Sequence, residues 1–225
     1  MSLQTIFDLS NEMTINRRKL VGVQYSRSQV PITQLTPTKN PWRITVGVPG
    51  QPWATMRPII ERLDFIDRYQ SEIITIGSNP KFAWLYAYQG DYFETPIDLI
   101  VDSFVGNTMV ISGLGGFTPG QFVFRSGDLI QIAGKPFPFT VVNNVVYTTG
   151  FTVSVTTHRP NIITTGVSGA ALNVGKNCQI QVFCPNLPTY NLSVGARSVT
   201  AAGLVNNAIV EWGDNFELYE DLRAA

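Results

Sequence analysis

Apolar and polar side chains alternate with period two along almost the whole chain, and this pattern constrains the fold more than any other feature. Trp42, Ile44, Val46 and Val48 alternate with Arg43, Thr45 and Gly47; Val21, Val23 and Tyr25 alternate with Gly22, Gln24 and Ser26. Successive strand residues point to opposite faces, so each run reads as a half-buried strand. Phe137, Phe139 and Val141 repeat the pattern against Pro138, Thr140 and Val142. Phe151, Val153 and Val155 repeat it against Thr152, Ser154 and Thr156. Leu129–Ile132 reads as another short strand, and CQIQVFC, NAIVEW and NFELYED supply strands towards the end. In FAWLYAYQG, Trp84, Tyr86 and Tyr88 alternate with Leu85 and Ala87, which also predicts a strand.

The punctuation between runs is of turn type. PITQLTPTKNP carries three prolines and reads as a loop or edge segment. IDLIVDSFVGNTMVISG predicts a hairpin turning at Gly106-Asn107, and Asn143-Asn144 offers a further turn. GLGGFTPG and NIITTGVSGAALNVGK read as connectors. One segment has a helical period instead. Trp53 to Gln70 places Met56, Ile59, Ile60, Leu63, Ile66 and Tyr69 on one face, with Thr55 as N-cap and Pro58 in the first turn. On its polar face, Asp64 and Arg68 are spaced to pair, and Glu61, Arg62 and Asp67 extend a solvated stripe.

The expected fold is therefore mainly β: a sandwich or barrel core with one packed helix near 55–70 and an inserted small β-barrel module. Residues 1–96 and 171–225 form the core, and residues 97–170 form the module.

Charge narrows the function. The 225 residues carry 16 basic and 16 acidic side chains, a formal net charge of zero. That balance argues against a free-standing nucleic-acid binder. Only 14% of residues are charged, against about 25% in typical soluble domains, which suits either an all-β protein with polar uncharged faces or a surface covered by neighbouring subunits. The start MSLQTIFDLSNEM lacks the basic and apolar regions of a signal peptide. No apolar run is long enough to span a membrane, so folding in a cytoplasm is expected.

Motifs for chemistry are missing. SGLGGFTPG lacks G-x-G-x-x-G spacing, and the stretches Gly127 to Lys135 and Gly169 to Lys176 lack the P-loop spacing. Cys178 and Cys184 fall on one strand about 20 Å apart. A disulfide requires Cα atoms within about 7 Å, so both are expected as reduced, core-facing thiols. His158 is the only histidine, and it is expected to make a strand-end hydrogen bond or an interface contact. Asn191-Leu192-Ser193 matches a glycosylation acceptor, an incidental match without a secretion signal. No catalytic, cofactor or metal residue is assigned. Were the chain an enzyme, Asp128 and His158, with Lys135 nearby, are the least poor candidates.

Several stretches carry a family resemblance. INRRKLVGVQYSRSQ, NPWRITVGVPG, the amphipathic segment ending LDFIDRYQSEIITIG, the run from Gly127 to Pro160, and NFELYEDL together resemble tail-tube-like and baseplate proteins of tailed bacteriophages. The resemblance covers most of the chain and implies a tail-tube-type core assembling into a homo-oligomeric ring. Such a ring would sit at the tube–baseplate junction in the virion, contact tube, hub, sheath or wedge proteins, and let DNA pass without reading its sequence. No catalytic residue is transferred. The competing reading is a β-rich receptor- or carbohydrate-binding module, motivated by Trp84, Tyr86, Tyr88 and Trp212.

Overall fold

The alternating segments resolve into antiparallel sheets in a computed structural model of the chain, which describes residues 2–17, 21–25, 31–35, 41–65, 70–92, 99–193 and 208–224. The protein is mainly β, with a curled half-barrel sheet and few helices.

Both ends of the chain build the first sheet. Its five strands run in the order Glu12–Asn16, Arg43–Gly47, Phe216–Glu220, Gln179–Phe183, Glu72–Thr75. The apolar phase of each alternation faces inward: Ile44, Val46, Phe216, Leu218, Ile180, Val182 and Ile74 are all buried. The helix Trp53–Phe65 covers this core with Met56, Ile60 and Leu63. It begins two residues before the expected cap at Thr55, directly after the short strand Gln51–Pro52, and Trp53 N donates to Ala208 O at 2.7 Å. Pro58 consequently falls in the second turn, where its missing N–H removes one helical hydrogen bond. Ile66, Tyr69 and the Asp64–Arg68 pairing fall on or reach into 66–69, outside the described residues.

A helix absent from the sequence reading, Ser2–Leu9, also packs here. Leu3, Ile6 and Phe7 share one buried face. Its N-terminus is closed by a distant carboxylate: Glu72 accepts from Ser2 N at 3.1 Å, Ser2 Oγ at 2.9 Å and Leu3 N at 3.0 Å. The expected strand in FAWLYAYQG is a correction. The structure has a short helix, Pro80–Ala83, followed by turns. Asn79 Oδ1 accepts from Lys81 N at 2.9 Å, and Pro80 supplies a pre-set first position. Buried Asn79 also donates from Nδ2 to Phe7 O at 2.6 Å and Ser10 O at 3.1 Å, which ties the first helix's end to the short one's start.

The second sheet has six strands in the order Phe139–Thr140, Leu129–Ile132, Ala170–Val174, Ile100–Val105, Thr108–Ser112, Val153–Thr156. It curls until its end strands approach. Val141 bridges Thr157, Val142 N donates to Thr156 O at 2.9 Å, and His158 N donates to Thr140 O at 3.0 Å. Inside lies a second core that includes Phe104, Phe124, Phe137 and Phe139. The hairpin turns at Gly106-Asn107, where Gly106 has φ 56°, a left-handed value suited to glycine.

Two expectations in this region are corrected. Ala170–Val174, expected as connector, is an inner strand between Leu129–Ile132 and Ile100–Val105, with Leu172 and Val174 buried. Phe151 does not join the face of Val155. The strand begins at Val153, and the Phe151 side chain is 91% exposed.

Leu129–Ile132 is the hinge between the two cores. All four residues are buried. Leu129 belongs to the first core, whereas Ile130 and Ile132 belong to the second. Alternation thus places Gln131 on the side of Leu129, towards the first sheet.

Candidate functional site

At the contact between the two sheets, buried polar groups form a dense network. Arg159 lies just past the strand Val153–Thr156 and continues the buried phase of Val155 and Thr157; Glu220 follows Phe216 and Leu218 on the inward phase of theirs. The two side chains meet as a fork. Arg159 Nη1 donates to Glu220 Oε2 and Nη2 to Oε1, both at 2.6 Å, with side chains 6% and 0% exposed. Nη2 also donates to Pro138 O at 2.8 Å, and Glu220 Oε2 accepts from Trp42 N at 3.0 Å. The guanidinium carbon lies 5.3 Å from the Trp42 ring and 5.1 Å from the Phe139 ring, within cation–π range. Arg159 Nε is buried without a partner.

His158 packs against the same tryptophan, ring centroids 5.3 Å apart. Trp42 Nε1 lies 3.1 Å from His158 Nε2, and Thr140 N lies 2.9 Å from Nδ1. Both approaching groups are donors, and a neutral imidazole accepts at only one nitrogen. The ring's single acceptor is thus spent inside the packing. Arg17 completes the cluster, donating from Nη1 to Thr140 Oγ1 at 2.6 Å.

Asp128 is held elsewhere. Its Oδ1 accepts from Gln89 N at 3.1 Å and its Oδ2 from Arg125 N at 2.8 Å. The Asp128 carboxylate is thus held by the backbone around Gln89 and Arg125, whereas the His158 ring meets Trp42 Nε1 and Thr140 N. Lys135 contributes its backbone, with its carbonyl accepting from Gln131 Nε2 at 2.7 Å.

Two aspartates beside Arg125 titrate in opposite directions. Burial pushes the Asp128 carboxyl up, against the pull of its backbone hydrogen bonds. The Phe122 N–H, and then the Arg125 guanidinium, hold the Asp91 carboxyl down. The raised group contributes stability below its unfolded pKa and loses it as pH rises through the folded value. The lowered group contributes above its unfolded pKa and loses it as pH falls through the folded value. A carboxyl-detected NMR titration should find Asp128 above, and Asp91 below, the ordinary aspartate range. The reverse order would contradict this account.

Cys178 and Cys184 are both free and buried at the two ends of the strand Gln179–Phe183. Burial pushes the Cys178 thiol up strongly and the Cys184 thiol up to about 11. A thiolate is the reactive form, so a disulfide reagent at mild alkaline pH should label neither cysteine in the native protein and both after unfolding. Rapid native labelling of Cys178 would show that its burial is misassigned.

The aromatics offered as a binding platform do not share a face. Trp84 is 69% exposed in a turn. Tyr86 and Tyr88 are half-buried, and Tyr88 OH donates to Val123 O at 2.6 Å. Trp212 stacks edge-on between Tyr190 and Phe216. Among the described residues, no three His, Cys, Asp or Glu side chains converge to hold a metal, and no helix is long and apolar enough to cross a membrane.

The Arg159–Glu220 fork and the Gln131 amide are what the sequence reading missed. Each had a signal: a polar residue on the apolar phase of a strand, or on the continuation of that phase just past the strand's end. Comparison with protein-family models finds no match, and comparison with curated proteins finds none.

Proposed function

We propose that the chain is a structural component of a phage tail, assembling as a ring at the tube–baseplate junction that nucleates or adapts the tube and lets DNA pass. The observation that carries the reading is the placement of bare apolar side chains on a charge-poor β protein. Phe65 is 90%, Val105 78% and Phe151 91% exposed, and Leu192 and Ile209 are 47% and 43% exposed on a small outer sheet. Exposed apolar groups on separate elements would suit contacts repeated around a ring. The near-neutral chain supports a lumen that does not grip phosphates. The tail-tube-like core and inserted barrel belong to the same proposal, supported by the two cores and the curled sheet.

Native mass spectrometry and electron microscopy of purified protein test it. Closed rings of identical copies are expected, and the same rings at the base of the tail tube in virions. Phe151→Glu and Val105→Glu should weaken assembly while leaving the melting temperature of the isolated chain within experimental scatter, since both side chains stand in solvent. A compact monomer at high concentration, together with absence from virions, would sink the reading.

A further inference from the structure

An open groove of about 610 Å³ lies on the solvent face of the first sheet, within the roughly 300–1,000 Å³ of small-molecule sites. Its floor is Thr45 and Glu217, direct cross-strand neighbours on the outward phase of their strands. One wall is the loop carrying Asn186 and Thr189; the other is the turn carrying Asp214 and Asn215. The walls are tied together, because Gly213 N donates to Thr189 O at 2.8 Å. The first wall is anchored where Cys184 Sγ donates to Asn186 O at 3.3 Å. The second is seated where a Cβ on Gly47 would stand 3.1 Å from Asn215 Oδ1, closer than side chains ordinarily tolerate. The groove is therefore shaped before any ligand enters.

Its chemistry is selective. Among the described residues no lysine or arginine lines it, and two carboxylates do. Of the floor's Glu217, one oxygen pairs with Arg43 and the other accepts from Tyr219 OH at 3.0 Å. An anion, including phosphate or nucleic acid, gains nothing here. The remaining lining combines two primary amides and two hydroxyls, groups that both donate and accept. Asp214 adds an acceptor able to take two hydroxyl donors. Leu187 and Pro188 supply an apolar patch beside these groups. Vicinal hydroxyls on a ring with an aliphatic C–H face match this set.

We infer that the groove is a binding site for a neutral saccharide, of di- to trisaccharide size. Asn186, Asp214 and Asn215 form the hydroxyl-recognising walls, and Leu187 and Pro188 lie under the sugar ring. The site is independent of the ring proposal and also of the aromatic platform that the structure dissolves.

The test uses the full chain on an array of neutral oligosaccharides, with isothermal titration of the best array ligand. Millimolar or tighter binding is expected, with slower hydrogen–deuterium exchange confined to residues 186–189 and 213–217. Asn186→Ala and Asn215→Ala, on opposite walls and both exposed, should each weaken binding by about tenfold or more with unchanged melting. Asp102→Ala, on the second sheet, should not. No binding on the array overturns the inference. So does binding that both wall variants retain, or a uronate oligosaccharide that binds as tightly as the neutral one.

Discussion

Arg159→Ala is expected to cost about 3–5 kcal/mol of folding stability, the range for removing one partner of a buried ion pair. The cost falls on what remains. Glu220, with its side chain fully buried, would keep only the Trp42 N–H as a donor, and the Pro138 carbonyl would lose one. The faces of Trp42 and Phe139 would also lose the cation between them. Glu220→Ala should be comparably harmful, because it strands a guanidinium whose Nε already lacks a partner. The double replacement Arg159→Met with Glu220→Leu separates pair from packing. Apolar groups of similar volume leave no uncompensated charge, so this variant should regain most of the loss. Urea unfolding of the three variants decides the matter. An Arg159→Ala protein within about 1 kcal/mol of the parent would mean the pair behaves as a surface bridge.

Gln131→Leu should be nearly as damaging, at about 3 kcal/mol or more, since each buried backbone group left unpaired costs about 1–3 kcal/mol. The Gln131 amide acts as a peptide unit between the sheets. Its Nε2 donates to Lys135 O at 2.7 Å and Gln179 O at 3.0 Å, and its Oε1 accepts from Gln179 N at 2.7 Å. Leucine fills the volume but leaves the N–H and C=O of Gln179 without this partner, while Lys135 O keeps the Phe137 N–H at 2.7 Å. Gln131→Glu is the sharper comparison, because it keeps an acceptor for Gln179 N but sets a carboxylate against two carbonyls. It should be no more stable than the leucine variant at neutral pH. A denaturation midpoint for Gln131→Leu equal to the parent's would show that water replaces the amide and that this contact does not join the sheets.

These effects concentrate on residues that sequence reading passed over. Ile44, Val46, Phe216 and Leu218 were legible because a pleated strand turns alternate side chains to opposite faces wherever it lies. Leu129–Ile132 was legible as a short apolar run, and the hairpin by its Gly106-Asn107 turn. The alternation rule misread FAWLYAYQG, where Asn79 and Pro80 start a helical turn that aromatic alternation does not report. It passed over Ala170–Val174, whose glycine-flanked, alanine-led sequence resembles a connector until two strands close on either side. Helix Ser2–Leu9 is too short to stand by itself, and its first turn is capped by Glu72, 70 residues away at Ser2.

By itself, then, the sequence determined most of the extended segments of the two sheets, which phase of those strands faces a core, and that Cys178 and Cys184 lie too far apart along one strand to pair. Those are local consequences of backbone geometry and side-chain polarity. Only the tertiary structure decided what the polar residues on inward phases do. Arg159 and Glu220 are 61 positions apart, and Gln131 and Gln179 are 48 apart. Burying any of them alone would cost more than packing returns. They are stable inside only because the fold brings charge to charge and amide to backbone, and no periodicity along the chain encodes that meeting.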